Sequence, residues 1–449
     1  MDFLHYVKEH SEEIIEETKK LLRIPSVLEK FDPKSETPFG KDINDALIHV
    51  LNRAKKDGFV TKNIRNYAAH IEYGEGEEIL GILCHLDVVP PGDYWTHPPF
   101  QPIVIDDKLY ARGAMDDKGP TMAAYFALKF LKDLDVHLSK RVRIILGTDE
   151  ETAWRGINEY FKTEEMPTIG FAPDASFPLI YGEKGIWTFD IEAKNIDSPL
   201  KTFKSGERYN VVPDYAECTL DIDLQNAFQT YLKYHGFKGE YVDGKYIVHG
   251  KNAHAMQPNL GVNAAFILAN FLNEHIKNPF IQFIHSYLAF DCFGEKLRLD
   301  FKDSEMGSFT LNAGIFEYSE GAGRIGINCR YPKGFDLEKA KEKISKAAKK
   351  TTLEYHFKGD IPIHYVDPKD TLIQTLMKAY QKITNDVDSE PYTIGGGTYA
   401  RALKKAVAFG MVMPGRKDVA HQANEHIYLD DLIEATAIYM EAIYALCHE

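Results

Sequence analysis

Five side chains in this 449-residue sequence, His85, Asp116, Glu151, Asp174 and His421, offer an imidazole nitrogen or a carboxylate oxygen from a strand end or a loop. Hard and borderline divalent ions take such ligands, and a carboxylate with two oxygens can bridge a second ion about 3.5 to 4 Å away. One Asp can therefore organise a metal pair. Taken singly, each has a plainer role: Asp116 could cap the following helix, Asp174 could form a turn, and His421 could be a hydrogen-bonded loop residue. Their combination carries the information.

The elements that must position them can be read from hydrophobic patterning. An amphipathic helix is predicted from Asp2 to Leu22 and another from Lys41 to Lys56. A buried strand, Ile79 to Leu83, runs into His85 and Asp87; Val142 to Leu146 runs into Thr148-Asp149-Glu150-Glu151; Ile169 to Ala172 runs into Pro173-Asp174. Between them, Pro120 to Leu131 reads as a helix after the loop carrying Asp116. Apolar strands alternating with helices predict an open α/β sheet, with reactive side chains gathered beyond the carboxyl ends of neighbouring strands. After about Gly185 the pattern changes to longer alternating strands, among them Ile186 to Ala193, Tyr215 to Leu224, Ser308 to Glu317 and Arg324 to Arg330. Helical signals return with Thr371 to Ile383 and Asp430 to Leu446. The expected division is residues 1–184, an inserted α+β domain at 185–366, and a return to the first domain at 367–449.

Composition narrows the function. The chain is 44% hydrophobic and 27% charged, and its formal net charge of −14 speaks against nucleic acid or an anionic membrane as partner. Five scattered cysteines without a Cys-x-x-Cys spacing suggest neither a disulfide framework nor a thiolate zinc site, and they suit a reducing compartment. The first residues lack the pattern of an export signal, and no apolar run reaches the roughly 18 residues needed to span a bilayer. A cytoplasmic location is expected. Gly321-Ala322-Gly323-Arg324-Ile325-Gly326 fits a dinucleotide-binding pattern in letters only, because it precedes a strand; it reads as a hairpin turn. The lysines at 341, 343, 349 and 350 read as the solvated face of a helix, and His97 as a loop residue.

The segments Cys84-His85-Leu86-Asp87-Val88-Val89-Pro90, Ala111-Arg112-Gly113-Ala114-Met115-Asp116-Asp117, Thr148-Asp149-Glu150-Glu151, Ala172-Pro173-Asp174 and His421-Gln422-Ala423-Asn424-Glu425 together resemble the metal-binding signatures of the M20 metallopeptidase family. The resemblance implies a di-metal catalytic domain with a mixed, mostly parallel central sheet, interrupted by an inserted lid domain. It implies that Asp116 bridges two ions, that His85 and Asp174 complete one site, and that Glu151 and His421 complete the other. Asp87 would accept the free ring N–H of His85, and Glu150 would be the general base for a water acidified by the ion pair. Zn²⁺ suits this donor set, and Mn²⁺ or Co²⁺ could occupy it.

Further segments, Asn210-Val211-Val212-Pro213, Gly250-Lys251-Asn252-Ala253-His254-Ala255, Arg330 and Gly395-Gly396-Gly397-Thr398-Tyr399-Ala400-Arg401, resemble the monomeric PepV-type (β-Ala-Xaa) dipeptidase branch of that family. That branch implies a monomer acting on dipeptides, with His254 donating toward the oxyanion. Asn210, Arg330 and the backbone near Gly396 would hold the substrate carboxylate. Cys84 and Ala255 stand where Gly is frequent in the family. An amidohydrolase acting on N-acylated amino acids and a noncatalytic metal-binding protein are the rival readings.

Overall fold

The Ile79–His85 strand, buried at every position, is the centre of the site-bearing sheet in this computed structural model, which describes residues 2–448. Such an unbroken apolar run belongs to a strand covered on both faces. Arg141–Gly147 lies parallel on one side of it and Ile169–Ala172 parallel on the other. Ala406–Ala408 continues the parallel arrangement beyond Ile169–Ala172. At the opposite edge the antiparallel hairpin Val60–Ile64 and Ala68–Tyr73 pairs with Arg141–Gly147. The sheet is therefore mixed and mostly parallel, as expected. Its edge hairpin carries little apolar signal, which is why periodicity does not announce it.

Two compact units are present. The first comprises the chain up to Tyr181, Tyr365–Tyr392 and the residues from Thr398 onward; the second comprises Gly182–His364 and Thr393–Gly397. The short Thr393–Gly397 segment was expected with the last part of the catalytic domain, but its hydrogen bonds are made in the second unit. The Lys184 N–H donates to the Ile394 carbonyl (3.1 Å), Thr393 Oγ1 to the Glu305 carbonyl (2.8 Å), and Arg330 Nη1 to the Gly395 carbonyl (3.3 Å).

In the first unit the Lys118–Asp133 helix starts directly after Asp116 and Asp117 and is buried on nearly all sides. It packs on the Leu429–Cys447 helix, which also packs on Thr371–Thr384. The single helix expected from Asp2 to Leu22 is two, Phe3–Glu9 and Ser11–Leu22. His10 separates them: its ring stacks on Tyr6, and its Nδ1 lies 2.8 Å from the Tyr6 carbonyl.

One buried histidine links this unit's stability to pH. His70 sits in the Ala68–Tyr73 strand with Nδ1 2.7 Å from the Tyr160 hydroxyl, and it is 4% exposed. Burial, helped by the nearby Arg143, pushes its ring down to about 4 from 6.5, while Glu164 pulls the other way. The unfolded chain therefore takes up the proton first. The contribution is complete above pH 6.5 and is lost as pH falls toward 4, by up to about 3 kcal/mol. Urea midpoints of the metal-stripped protein should fall across that window, and His70→Gln should flatten the slope; equal slopes in both proteins would contradict this.

The second unit is an eight-stranded antiparallel sheet with helices, an α+β arrangement. Its strand order is Lys238–Val242, Lys245–His249, Tyr215–Leu220, Leu200–Ser205, Thr310–Ser319, Ala322–Tyr331, Gly185–Ala193 and Glu354–Ile361. The strands Thr310–Ser319 and Ala322–Tyr331 close through Glu320 and Gly321, with φ of +50° and +81°. Two left-handed residues in a two-residue loop give the hairpin expected for the glycine pattern. The five cysteines are free, and among the described residues no helix is long and apolar enough to cross a membrane.

Candidate functional site

The site is built where parallel strands end. His85 is the last residue of the central strand and faces Gly147 in register, so the loop carrying Glu150 and Glu151 begins beside it. Asp174 follows the neighbouring Ile169–Ala172 strand. Asp116 comes from the turn before the Lys118–Asp133 helix, where the Asp116–Asp117 peptide is cis.

His421 arrives from the C-terminal segment and is itself held with φ of +62°. In the resulting cluster His85 Nε2 lies 3.0 Å from Asp116 Oδ1 and 3.6 Å from Asp174 Oδ2. The other Asp116 oxygen, Oδ2, is 2.8 Å from His421 Nε2, which is also 3.0 Å from Glu151 Oε1. The structure thus brings together all five candidate ligands, and it divides the two oxygens of Asp116 between the two histidines.

The hydrogen bonding shows that this donor set fits cations. The other ring nitrogen of His85, Nδ1, is 3.0 Å from the Asp87 carbonyl oxygen, an acceptor only, so the neutral ring carries its proton there. The lone pair of Nε2 is then turned toward carboxylate oxygens. Nε2 of His85 and Oδ1 of Asp116 are both buried without a hydrogen-bond partner among the described residues. Nitrogen and oxygen lone pairs converging in a buried place repel one another unless a positive charge lies between them. His85, Asp116 and Glu151 form one group able to hold an ion, and His85, Glu150 and Asp174 another.

The same crowding appears in proton affinities. Burial would lower the His85 pKa, but Asp116, Asp174 and Asp87 overrule it and hold it well above the usual range. Asp116 and Glu151 carry His421 up to about 11. Burial pushes Glu150 well up, against His85, and the surrounding carboxylates of Asp174, Asp116 and Glu151 add to it. Protons here stand in for positive charge that the carboxylates demand.

Asp87 is placed differently from expectation. The ring N–H of His85 meets the backbone carbonyl of Asp87, while the carboxylate Oδ1 is farther, at 3.5 Å. That carboxylate instead accepts the N–H groups of Glu150 and Glu151, each at 3.1 Å, one on each oxygen. Being short, Asp87 can brace the neighbouring loop from its strand end. Asp149 holds the same loop by accepting from the Arg155 side chain and N–H.

Other buried groups escaped the sequence reading. Asp117 accepts the His85 N–H at 2.9 Å, tying strand end to helix start. The Tyr399 ring stands edge-on to His85 at 6.0 Å and fills the space beside Gly147, where a Cβ would lie 2.2 Å from its hydroxyl. Glu425 Oε1 accepts the N–H groups of Met115 (2.9 Å) and Asp116 (3.1 Å), while Oε2 pairs with the buried Arg112. Arg112 and Glu425 both lie in segments noted in the sequence, but nothing in one sequence shows that they pair. Glu425→Ala leaves Arg112 buried without its charge partner, a loss of about 3 to 5 kcal/mol. A markedly lower melting temperature and weaker metal retention are expected; an unchanged melting temperature would refute the pairing's importance.

The remaining candidates, Asn210, His254, Arg330 and Gly396, belong to the second unit. Within it the Asn210 carbonyl accepts the Ala255 N–H at 2.9 Å, and Val211 bridges to His254 in antiparallel fashion. Desolvation lowers the His254 pKa and the Arg330 charge lowers it further. Gly395 and Gly396 pass close to Met256; a Cβ would lie 3.0 Å from Met256 Cβ at Gly395 and 3.6 Å from its sulfur at Gly396. Asn210, His254 and Gly396 lie outside the named strands of that unit, and Arg330 stands near the end of the Ala322–Tyr331 strand with its Nη1 on the Gly395 carbonyl.

Comparisons with known proteins bear on the family and the fold. A family model described as Peptidase family M20/M25/M40 matches residues 81–445. A Staphylococcus aureus (strain MRSA252) protein named "Putative dipeptidase" is 45% identical over 464 residues, covering 99% of each chain. Human carnosine dipeptidase 1 matches structurally with a TM-score of 0.58 at 15% identity over 99% of both chains. The di-peptidase Dug1p from Saccharomyces cerevisiae matches with a TM-score of 0.59 at 13% identity over 98% of both. At these identities the structural likeness speaks for the fold.

Proposed function

We propose, for a chain that belongs to peptidase family M20/M25/M40 and is therefore a peptide-bond hydrolase, metal-dependent hydrolysis of unblocked dipeptides. The observation that carries the proposal is the division of the Asp116 carboxylate between His85 and His421, the arrangement a bridging ligand requires. His85 and Asp174 complete one ion site, and Glu151 and His421 the other. When bound, two divalent ions would acidify a water and polarise the substrate's amide carbonyl.

Glu150 is the general base. It ties its backbone, not its carboxylate, to Asp87, so the carboxylate is available to take the water's proton and return it to the leaving amine. Asp87 fixes Glu150 and Glu151 relative to His85. In the second unit, His254 donates to the developing oxyanion, and Arg330, Asn210 and the backbone at Gly396 bind the substrate's carboxylate. Zn²⁺ is the ion best suited to the donor set, with Mn²⁺ and Co²⁺ as substitutes. The free thiols suit a cytoplasmic enzyme, and the resemblance to the monomeric dipeptidase branch suits a monomer.

The test compares unblocked dipeptides with N-acetylated amino acids as substrates of the metal-loaded protein. Cleavage of the dipeptides is the expected result. Cleavage confined to the acylated compounds would move the protein to amidohydrolase chemistry, and no turnover of either class with full metal occupancy would indicate a noncatalytic protein.

A further inference from the structure

We propose that Asn312 and Asn328 are positioning residues that set Asn210 and Arg330 for recognition of the substrate carboxylate; this rests on the carboxylate-binding role proposed above. The two asparagines stand directly opposite each other on the antiparallel strands Thr310–Ser319 and Ala322–Tyr331. They share a face of the sheet and are 2% and 4% exposed. A buried amide is costly unless paired, so its partners disclose what it is for.

Asn312 Nδ2 donates to the carbonyls of Tyr209 (2.8 Å) and Val211 (3.0 Å). Both are acceptors only, which fixes the orientation of the amide. The first carbonyl immediately precedes Asn210 and the second belongs to the residue after it, so one side chain holds the backbone on either side of Asn210. The carbonyl of Asn210 in turn receives the Ala255 N–H, and Val211 bridges His254, so the grip extends to the residue assigned to the oxyanion.

The loop can approach this closely because the strand bulges at Gly314, where a Cβ would lie 2.3 Å from the Arg208 carbonyl oxygen and 2.7 Å from that of Tyr209. Tyr209 is anchored separately, its hydroxyl donating to Asp190 at 2.7 Å.

Asn328 acts on the other partner. Its Oδ1 accepts from Arg330 Nε at 2.9 Å, and its Nδ2 donates to Thr188 Oγ1 at 3.0 Å. Arg330 lies two residues along the same strand, hence on the same face, and its Nη1 donates to the Gly395 carbonyl at 3.3 Å. The guanidinium plane is therefore set from Asn328 on one edge and from the glycine run on another. Two facing asparagines hold, through their side chains, the two residues that would read one carboxylate.

The experiment measures KM and kcat for a dipeptide with a free carboxylate, and KM or the inhibition constant for its C-terminal amide, on the zinc-loaded enzyme. Wild type, Arg330→Ala, Asn312→Ala and Asn328→Ala are compared, with urea midpoints alongside. Each asparagine variant is expected to weaken binding of the free dipeptide about tenfold or more while leaving the amide nearly unchanged, the loss of a hydrogen bond serving a charged group. Their preference for the free dipeptide should fall toward that of Arg330→Ala. Asn312→Ser and Asn328→Ser carry the same expectation if the alanine variants do not fold. A wild-type preference in the asparagine variants, or equal losses on both compounds, would overturn the inference. A wild-type preference in Arg330→Ala would instead refute the carboxylate role of Arg330, and the inference with it.

Discussion

Glu150→Gln is expected to retain its metal ions and to lose about 100- to 10,000-fold in kcat, the usual contribution of a positioned acid–base group. The substitution keeps the shape of the side chain and leaves the Glu150 N–H on Asp87, so the loop should not move. It removes only the ability to take and return a proton. Glu150 also falls within ion-binding distance of His85 and Asp174, which gives the opposite outcome a definite form. If Glu150 were chiefly a ligand, Glu150→Gln would lose metal in proportion to activity. Metal content and kcat measured on the same preparation separate the two.

Asp116→Asn should fail differently. The amide retains one oxygen, but its NH₂ group cannot ligate, and the site loses a negative charge where His85 and His421 meet. Even partners outside a coordination shell cost 10- to 100-fold in affinity when removed, so loss of a bridging oxygen should cost at least about 100-fold for one ion. Turnover should fall in parallel. Chelator competition monitored by metal analysis tests this: retention of both ions with undiminished affinity would refute the bridging assignment.

Much of this architecture is legible in the sequence because buried parallel strands are continuous apolar runs. Residues 79–84, 144–146 and 169–172 are such runs, although Arg143 sits inside the second strand, and polar residues soon after each mark where chemistry can gather. The edge hairpin of Val60–Ile64 and Ala68–Tyr73 is less legible, since its first strand is mostly exposed and its apolar content low. The break at His10 depends on a ring stacked on Tyr6, a contact that periodicity does not encode.

In the site, ligand types and strand-end positions are visible in one dimension, but the partners of buried carboxylates are not. The family resemblance implies that the Asp87 carboxylate partners His85. That carboxylate meets Glu150 and Glu151, more than sixty residues away in the chain. Glu425 and Arg112 are separated by still more, and only the fold brings them onto the Asp116 turn.

The most direct test of the central claim is to strip the protein of metal and titrate Zn²⁺ back while following dipeptide hydrolysis and bound metal together. Activity that is absent in the stripped protein and reaches its plateau at two ions per chain is the predicted result. Hydrolysis that persists after complete stripping, or metal that binds to two equivalents without restoring any hydrolysis, would contradict it.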